Sequence, residues 1–333
     1  MKIAINGFGR IGRNFLRTVL EDPKARKELQ VVAINVGPSP VHMLAHLFQY
    51  DTLLGKFPGT VHADGNSLII DDLAIPVLAE SNPRNISWDT YKVDWVVESS
   101  GKFTDRAGAQ QHLEAGAKNV LITAPAKDED VTIIPGVNNE AYDKNKHKIV
   151  SLGSCTTNAI VPMLKVLHEA FTITEGFMTT VHAYTNSQVL LDVERPDPRR
   201  ARAAALNIIP TTTGATKVID KVYPALKGKI GGHALRVPVG KVSLIDLCFI
   251  AEKKLNIDAI NKAFEEVAAK TMKGIVGISN EPLVSSDYSK NGNSVTLDAL
   301  LTDVRGNCGK AFGWYDNEWG YSERLKDFLL MVR

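Results

Sequence analysis

The residues with the clearest chemical potential lie in Ser154-Cys155-Thr156-Thr157-Asn158, where a short apolar run, Ile149–Ser151, gives way to a helical pattern. A cysteine at a helix N-terminus feels the positive end of the backbone dipole and its N–H donors, and both favour the thiolate. The flanking hydroxyls and amides also suit an anion. Of the three cysteines, Cys248 falls inside the apolar run Leu244–Ile250 and reads as an inert core residue. Cys308 lies in the polar turn Gly306-Asn307-Cys308-Gly309, with no base in view. Cys155 is the expected nucleophile, against a plainer role in capping the helix. Such a thiol needs a base. Among eight histidines, only His182 sits in a run rich in hydroxyls, Met178-Thr179-Thr180-Val181-His182-Ala183-Tyr184-Thr185. Strand alternation puts Thr180, His182 and Tyr184 on one face. A lone strand histidine is usually a satisfied core residue, so spacing alone leaves this pairing open.

A second signature opens the chain. Gly7-Phe8-Gly9-Arg10-Ile11-Gly12 stands between an apolar strand, Lys2–Asn6, and a helix in which Ile11, Phe15, Val19 and Leu16, Leu20 recur at helical spacing. Glycines let the backbone turn sharply and approach a pyrophosphate, while the helix N-terminus supplies N–H groups. By itself the spacing describes any tight strand-to-helix turn; this context points to a dinucleotide. The next strand ends Ile34-Asn35-Val36-Gly37. Where an NAD site usually offers a carboxylate to the ribose, this chain has none. Either another group holds the ribose or the pocket has room for a 2′-phosphate, so NAD and NADP both stay open.

The elements around these signatures divide the chain. Apolar runs at Gln30–Asn35, Asp94–Ser99, Val120–Thr123 and Ile149–Ser151, separated by helices, predict a parallel sheet buried on both faces. The stretch Tyr50–Leu78 is less regular, with a hairpin signal at Asp64-Gly65-Asn66, and reads as a decoration on that sheet. After Ser154 a helix runs through Ile160, Leu164 and Leu167. It is followed by alternating strands with one clear helix among them, Ile257–Thr271, the pattern of an antiparallel α+β domain. The expected domains are 1–154, with a last helix at 318–333 packing back on it, and 155–317.

Composition limits the alternatives. The chain has 333 residues, 44% hydrophobic and 23% charged, and 39 basic against 37 acidic side chains give a net charge of +2. That balance gives no reason to expect nucleic acid or an anionic membrane as the main partner. No apolar run approaches the ~18 residues needed to span a bilayer, and the N-terminus turns polar too early for a signal-peptide core. An odd, widely spaced set of cysteines without CxxC argues against a disulfide framework or a metal site and for a reducing, cytoplasmic setting.

Together with Trp314-Tyr315-Asp316-Asn317-Glu318-Trp319-Gly320-Tyr321-Ser322, these segments resemble the phosphorylating glyceraldehyde-3-phosphate dehydrogenase family over essentially the whole chain. The resemblance implies an α/β fold: a Rossmann-type parallel-sheet domain plus an α+β catalytic domain with a mostly antiparallel sheet. It implies a homotetramer as well. The expected reaction oxidises glyceraldehyde 3-phosphate to 1,3-bisphosphoglycerate with inorganic phosphate and NAD(P), through a thiohemiacetal and thioester on Cys155 with His182 as base. The cofactor would be held by Gly7, Gly9, Arg10, Ile11, Gly12, Asn35, Val36, Ser100, Asn317 and Tyr321. Inorganic phosphate would meet Ser154, Thr156, Thr213 and Gly214; the substrate's own phosphate would meet Thr185, Arg200 and Arg236. Four positions depart from the family's habit: Ala159 replaces a second cysteine, Leu152-Gly153 an Asn-Ala, Ser187 an aspartate and Val36 the ribose carboxylate. The rival readings are an erythrose-4-phosphate dehydrogenase and a catalytically silent binding paralogue; the second would predict damage to Cys155, His182 or Arg236, and none is damaged.

Overall fold

The computed structural model describes residues 1–333 and divides into two compact units. The first comprises Met1–Ile133, Glu140–Gly153 and Ser322–Arg333; the second, Ile134–Asn139 and Ser154–Tyr321. Ile134–Asn139, Ser154 and Glu318–Tyr321 thus lie outside the unit in which the sequence placed them. Ile134 and Val137 are buried in the second unit's core, which explains the first of these.

The first unit is built on a nine-stranded sheet in the order Val131–Thr132, Ile149–Ser151, Asn119–Ile122, Trp95–Glu98, Lys2–Asn6, Gln30–Asn35, Leu73–Leu78, Ser67–Ile70, Val61–Asp64. The first seven run parallel, and the last two pairings are antiparallel. Ile3, Ile5, Val96, Val97, Val120 and Leu121 are fully buried, as a sheet covered on both faces requires. Leu73–Leu78 pairs in parallel with Gln30–Asn35, so part of the stretch read as decoration extends the sheet itself. The hairpin at Gly65 is present, with φ +52 there. Residues 322–333 bring Phe328 edge-on to Trp95 and Tyr142, and Lys326 to Asp22.

The second unit is an eight-stranded sheet whose main path runs Ile209–Thr211, Ile230–Val237, Ile173–Ala183, Ser243–Ala251, Cys308–Tyr315, Val295–Asp298, Val276–Ser279. Two of its neighbouring pairs are parallel and the rest antiparallel. The helix Cys155–Phe171 buries Ala159, Ile160, Met163, Leu164 and Leu167 in one core with Ile245, Leu247 and Phe249 of the sheet and Ile260 and Phe264 of the helix Ile257–Ala269. A further helix, Ala215–Val222, was not legible behind its threonine-rich approach. Cys248 is no core residue: it alternates onto the half-exposed face of its strand, beside Lys310 and Cys308.

Candidate active site

In the first unit, Lys2–Asn6 has Gln30–Asn35 on one side and Trp95–Glu98 on the other, so the chain order reverses at its C-terminal end. Ligands of open parallel sheets bind at such a point. Gly7 turns there with φ +92, and a Cβ on it would lie 2.4 Å from the Ser100 nitrogen; a Cβ on Gly12 would lie 2.3 Å from the Gly7 oxygen. Around Gly9 there is open space, and no side chain caps the helix Arg10–Glu21 that begins after it. A turn that admits no side chain, an open glycine and an uncapped helix end together fit a dinucleotide's pyrophosphate. Arg10 pairs with Asp51, and the guanidinium helps draw that carboxyl below its usual range although burial opposes it. Ile11 follows in the first turn.

Under the turn lies a buried polar hub that the motif did not reveal. The Glu98 carboxylate accepts from Asn6 Nδ2 (2.5 Å), from Ser100 N (2.8 Å) and from Ser100 Oγ (2.5 Å), and meets His112 Nε2 at 3.0 Å. Trp88 Nε1 donates to His112 Nδ1 at 3.2 Å, which leaves the proton of this ring on Nε2. Ser100 is therefore locked by its own turn. Asn35 requires a correction. Its amide donates to Asn6 Oδ1 (2.7 Å) and Glu80 O (2.9 Å) and accepts from Glu80 N (2.9 Å), so a side chain expected to face the cofactor is consumed in tying two strand ends together. Val36 is half-buried beside it, its N–H donating to Leu78 O.

The second unit carries the thiol. Ser154 caps its helix reciprocally: Ser154 Oγ accepts from Thr157 N (3.0 Å) while Ser154 N donates to Thr157 Oγ1 (3.3 Å). Cys155 is thereby fixed in the first helical turn, with Sγ 3.4 Å from His182 Nε2. Register explains what surrounds the base. His182 stands opposite Arg236 on the parallel neighbour strand, and Thr180 two residues back faces the same side. His182 Nδ1 is 2.6 Å from Ala183 O, and Arg236 Nη1 lies 2.7 Å from that nitrogen and 3.0 Å from the same carbonyl. Ala183 O can only accept and the guanidinium can only donate, so these two neighbours of Nδ1 favour opposite tautomers; the shorter contact, to Ala183 O, puts the proton on Nδ1, and Arg236 gives its own to the same carbonyl. We assign this tautomer from the partners. It leaves the Nε2 lone pair facing the sulfur, the arrangement a base needs.

Burial, with the Arg236 charge adding to it, pushes His182 down to about 3. Burial pushes the Cys155 thiol up, against Arg236, the Thr156 hydroxyl and the first helical N–H groups. Those last donors are the ones an oxyanion at the sulfur would meet. The Arg236 guanidinium is itself drawn down by burial, and Arg200 adds a like-charge repulsion. Its Nε is buried without a partner. Two cations that repel, one with an orphan donor, form a site that an anion would relieve.

The remaining expected residues fall into local groups. Arg200 Nε donates to Thr211 Oγ1 at 2.9 Å, with Asp197 3.7 Å away. Thr185 Oγ1 and Ser187 Oγ are 2.9 Å apart. Thr213 Oγ1 accepts from Ala215 N (3.2 Å) at the start of the helix Ala215–Val222, where Gly214 is the exposed N-cap. No hydrogen bond ties Thr185, Thr213 or Gly214 to Cys155. Tyr184 also departs from expectation: the strand ends at Ala183 and Tyr184 turns out to solvent, 37% exposed. Its place beside the histidine is taken by Tyr315, whose hydroxyl lies 2.8 Å from Thr180 Oγ1 and 3.1 Å from Thr156 Oγ1, with its ring edge-on to His182. Asn317 and Tyr321 are both buried. Burial, with Cys155 nearby, pushes the Tyr321 hydroxyl up, and Ser243 Oγ meets Asn317 Oδ1 at 3.1 Å.

In class this is an α/β chain with a Rossmann-type unit and a second unit bearing a thiol–imidazole centre. Residues 1–106 match the family described as "Glyceraldehyde 3-phosphate dehydrogenase, NAD binding domain", and residues 154–317 match its C-terminal domain. The chain is 51% identical to glyceraldehyde-3-phosphate dehydrogenase 1 of Bacillus subtilis (strain 168) over 333 residues, 100% of this chain and 98% of that protein. It is 50% identical, with the same coverage, to the glyceraldehyde-3-phosphate dehydrogenase of Geobacillus stearothermophilus. With a Streptomyces coelicolor (strain ATCC BAA-471 / A3(2) / M145) enzyme of that name it shares 48% over 335 residues, 100% and 98% of the two chains. The chain belongs to the glyceraldehyde-3-phosphate dehydrogenase family.

Proposed function

We propose that this chain oxidises glyceraldehyde 3-phosphate to 1,3-bisphosphoglycerate, with inorganic phosphate and NAD or NADP as co-substrates. The observation that carries the reading is the Cys155–His182 pair: 3.4 Å apart, with the base's other nitrogen committed to a carbonyl. Cys155 adds to the aldehyde carbon and forms a C–S bond. His182 Nε2 takes the proton that the Cys155 thiol gives up, donors at the helix N-terminus hold the resulting oxyanion, and its C=O double bond re-forms as the C–H bond gives up its hydride. A dinucleotide held by this chain would supply the acceptor for that hydride. Cys155 then carries the acyl group as a thioester. A phosphate oxygen attacks it, the C–S bond breaks, and the thiolate leaves. Gly7, Gly9, Arg10, Ile11, Gly12, Ser100, Asn317 and Tyr321 are the proposed cofactor residues, with Val36 beside the ribose.

Ser154, Thr156, Thr213 and Gly214 suit the attacking phosphate, and Thr185, Arg200 and Arg236 the substrate's own. The orphan Arg236 Nε supports that assignment. Five apolar side chains between residues 190 and 208, Leu190, Leu191, Val193, Leu206 and Ile208, are exposed and support contact with other copies in a homotetramer. A catalytic free thiol suits the reducing cytoplasm. Steady-state kinetics with each dinucleotide, with and without phosphate, test the proposal. Turnover should depend on phosphate; equal product formation in its absence would sink it in favour of a hydrolytic relative.

A further inference from the structure

We infer that Ser243 is a positioning residue that decides which way the Asn317 amide faces, and thereby how tightly the carboxamide of a pyridine dinucleotide is gripped. This rests on the cofactor reading above. Ser243 is only 1% exposed and Asn317 only 5%. Ala183 N, which can only donate, gives its hydrogen bond to Ser243 Oγ at 3.0 Å. The one proton of that hydroxyl is then left for Asn317 Oδ1 at 3.1 Å. With the amide flipped, its NH2 group would face Ser243 instead, and the buried hydroxyl would have no acceptor for its proton. The flipped state therefore leaves a buried donor unsatisfied. With Oδ1 committed, Asn317 presents its NH2 group to a ligand, and an NH2 group is what a carboxamide oxygen requires.

The rest of Asn317 is already held. The neighbouring Asp316 carboxylate accepts from Glu318 N, Trp319 N and Lys290 N at 3.1, 2.9 and 2.8 Å, and pairs with the buried Lys241 at 2.8 Å. The backbone on both sides is anchored, so rotation of the amide is the freedom that Ser243 removes. Ala183 joins the two halves of the centre, because its carbonyl sets the His182 tautomer while its N–H holds Ser243.

The test measures binding by calorimetry for NAD and for ADP-ribose, which lacks the nicotinamide. Ser243→Ala should weaken NAD by about tenfold, the worth of one hydrogen bond, and leave ADP-ribose within about twofold. Ser243→Cys keeps the volume with a weaker donor; it should show the same selective loss in smaller measure, and it carries the test should the alanine variant fail to fold. In an Asn317→Ala background, Ser243→Ala should cause no further selective loss. Equal weakening of both ligands means a purely structural serine and overturns the inference, as does unchanged NAD affinity or a full additional loss in the Asn317→Ala background. A wild-type chain that binds ADP-ribose but gains nothing from the nicotinamide overturns the cofactor reading itself.

Discussion

Replacing His182 by asparagine should change how Cys155 reactivity depends on pH, by an amount the geometry sets. Burial and the Arg236 charge bring the imidazole from its ordinary 6.5 down to about 3, so a lone imidazolium here is disfavoured by about 3.5 pH units. A thiolate 3.4 Å away opposes that. At an effective dielectric of about 20, two unit charges at this distance attract by about 5 kcal/mol, or roughly 3.5 pKa units. That attraction cancels only the imidazole's own penalty; moving the proton from a thiol held above 9.0 still costs the gap down to 6.5, about 2.5 pH units or more, so the ion pair is a minor species whose population does not change with pH. In the asparagine variant no cation can form at that position. Burial holds the thiol above its ordinary 9.0, so ionisation comes only as pH rises past that value. The assay is the rate of iodoacetamide alkylation at Cys155 from pH 5.5 to 10. Wild type should flatten to a low plateau below about pH 6.5. The variant should keep falling about tenfold per pH unit, to about tenfold below wild type at pH 5.5, converge with wild type at higher pH, and lose on the order of 10²–10⁴ in turnover. Identical profiles would show that no proton is shared between the two groups.

Three further outcomes are expected. Cys155→Ser should abolish dehydrogenase activity while keeping the fold and NAD affinity, and peptide mapping after partial alkylation should find the label at Cys155; loss of activity in step with labelling at Cys248 or Cys308 contradicts this. Arg236→Ala should lose at least about tenfold more efficiency with glyceraldehyde 3-phosphate than with unphosphorylated glyceraldehyde, as a charge-assisted bond is worth roughly 1.5–3 kcal/mol, and equal losses exclude a phosphate contact. Wild type should use both dinucleotides with less than about 100-fold discrimination, and Val36→Asp should raise the NAD/NADP efficiency ratio by adding a carboxylate that repels a 2′-phosphate. An unchanged ratio places Val36 away from the ribose.

What the sequence disclosed follows the range of the forces involved. The glycine turn and the capped cysteine helix are local: Ser154 and Thr157 lie three residues apart, and Gly7 needs its positive φ whatever the rest of the chain does. Both were legible. The histidine was ambiguous because its meaning depends on Arg236, 54 residues on, and on a strand register that fixes the two opposite each other. Asn35 was misread for the same reason, since the backbone that consumes its amide is 45 residues away at Glu80. Leu73–Leu78 was hidden by Pro76, a residue that usually demotes a run from the interior of a sheet.

Tyr315 and Ser243 are the quieter cases, and they show where the chemistry of such a centre is stored. Tyr315 reaches Thr180 across 135 residues and Thr156 across 159, and Ser243 reaches Asn317 across 74. Tyr315 lies in a segment that carries the family resemblance but was given no role there, and Ser243 belongs to no pattern that announces a function; a tyrosine and a serine in apolar strands look like ordinary sheet residues. Yet sheet register sets Ser243 directly opposite Tyr315. One rung of the ladder thus carries the hydroxyl beside the base and the hydroxyl that turns the Asn317 amide. The thiol and imidazole supply reactivity, but the angles at which they work are held by that rung. A substitution there should therefore alter ligand geometry before it alters which groups react.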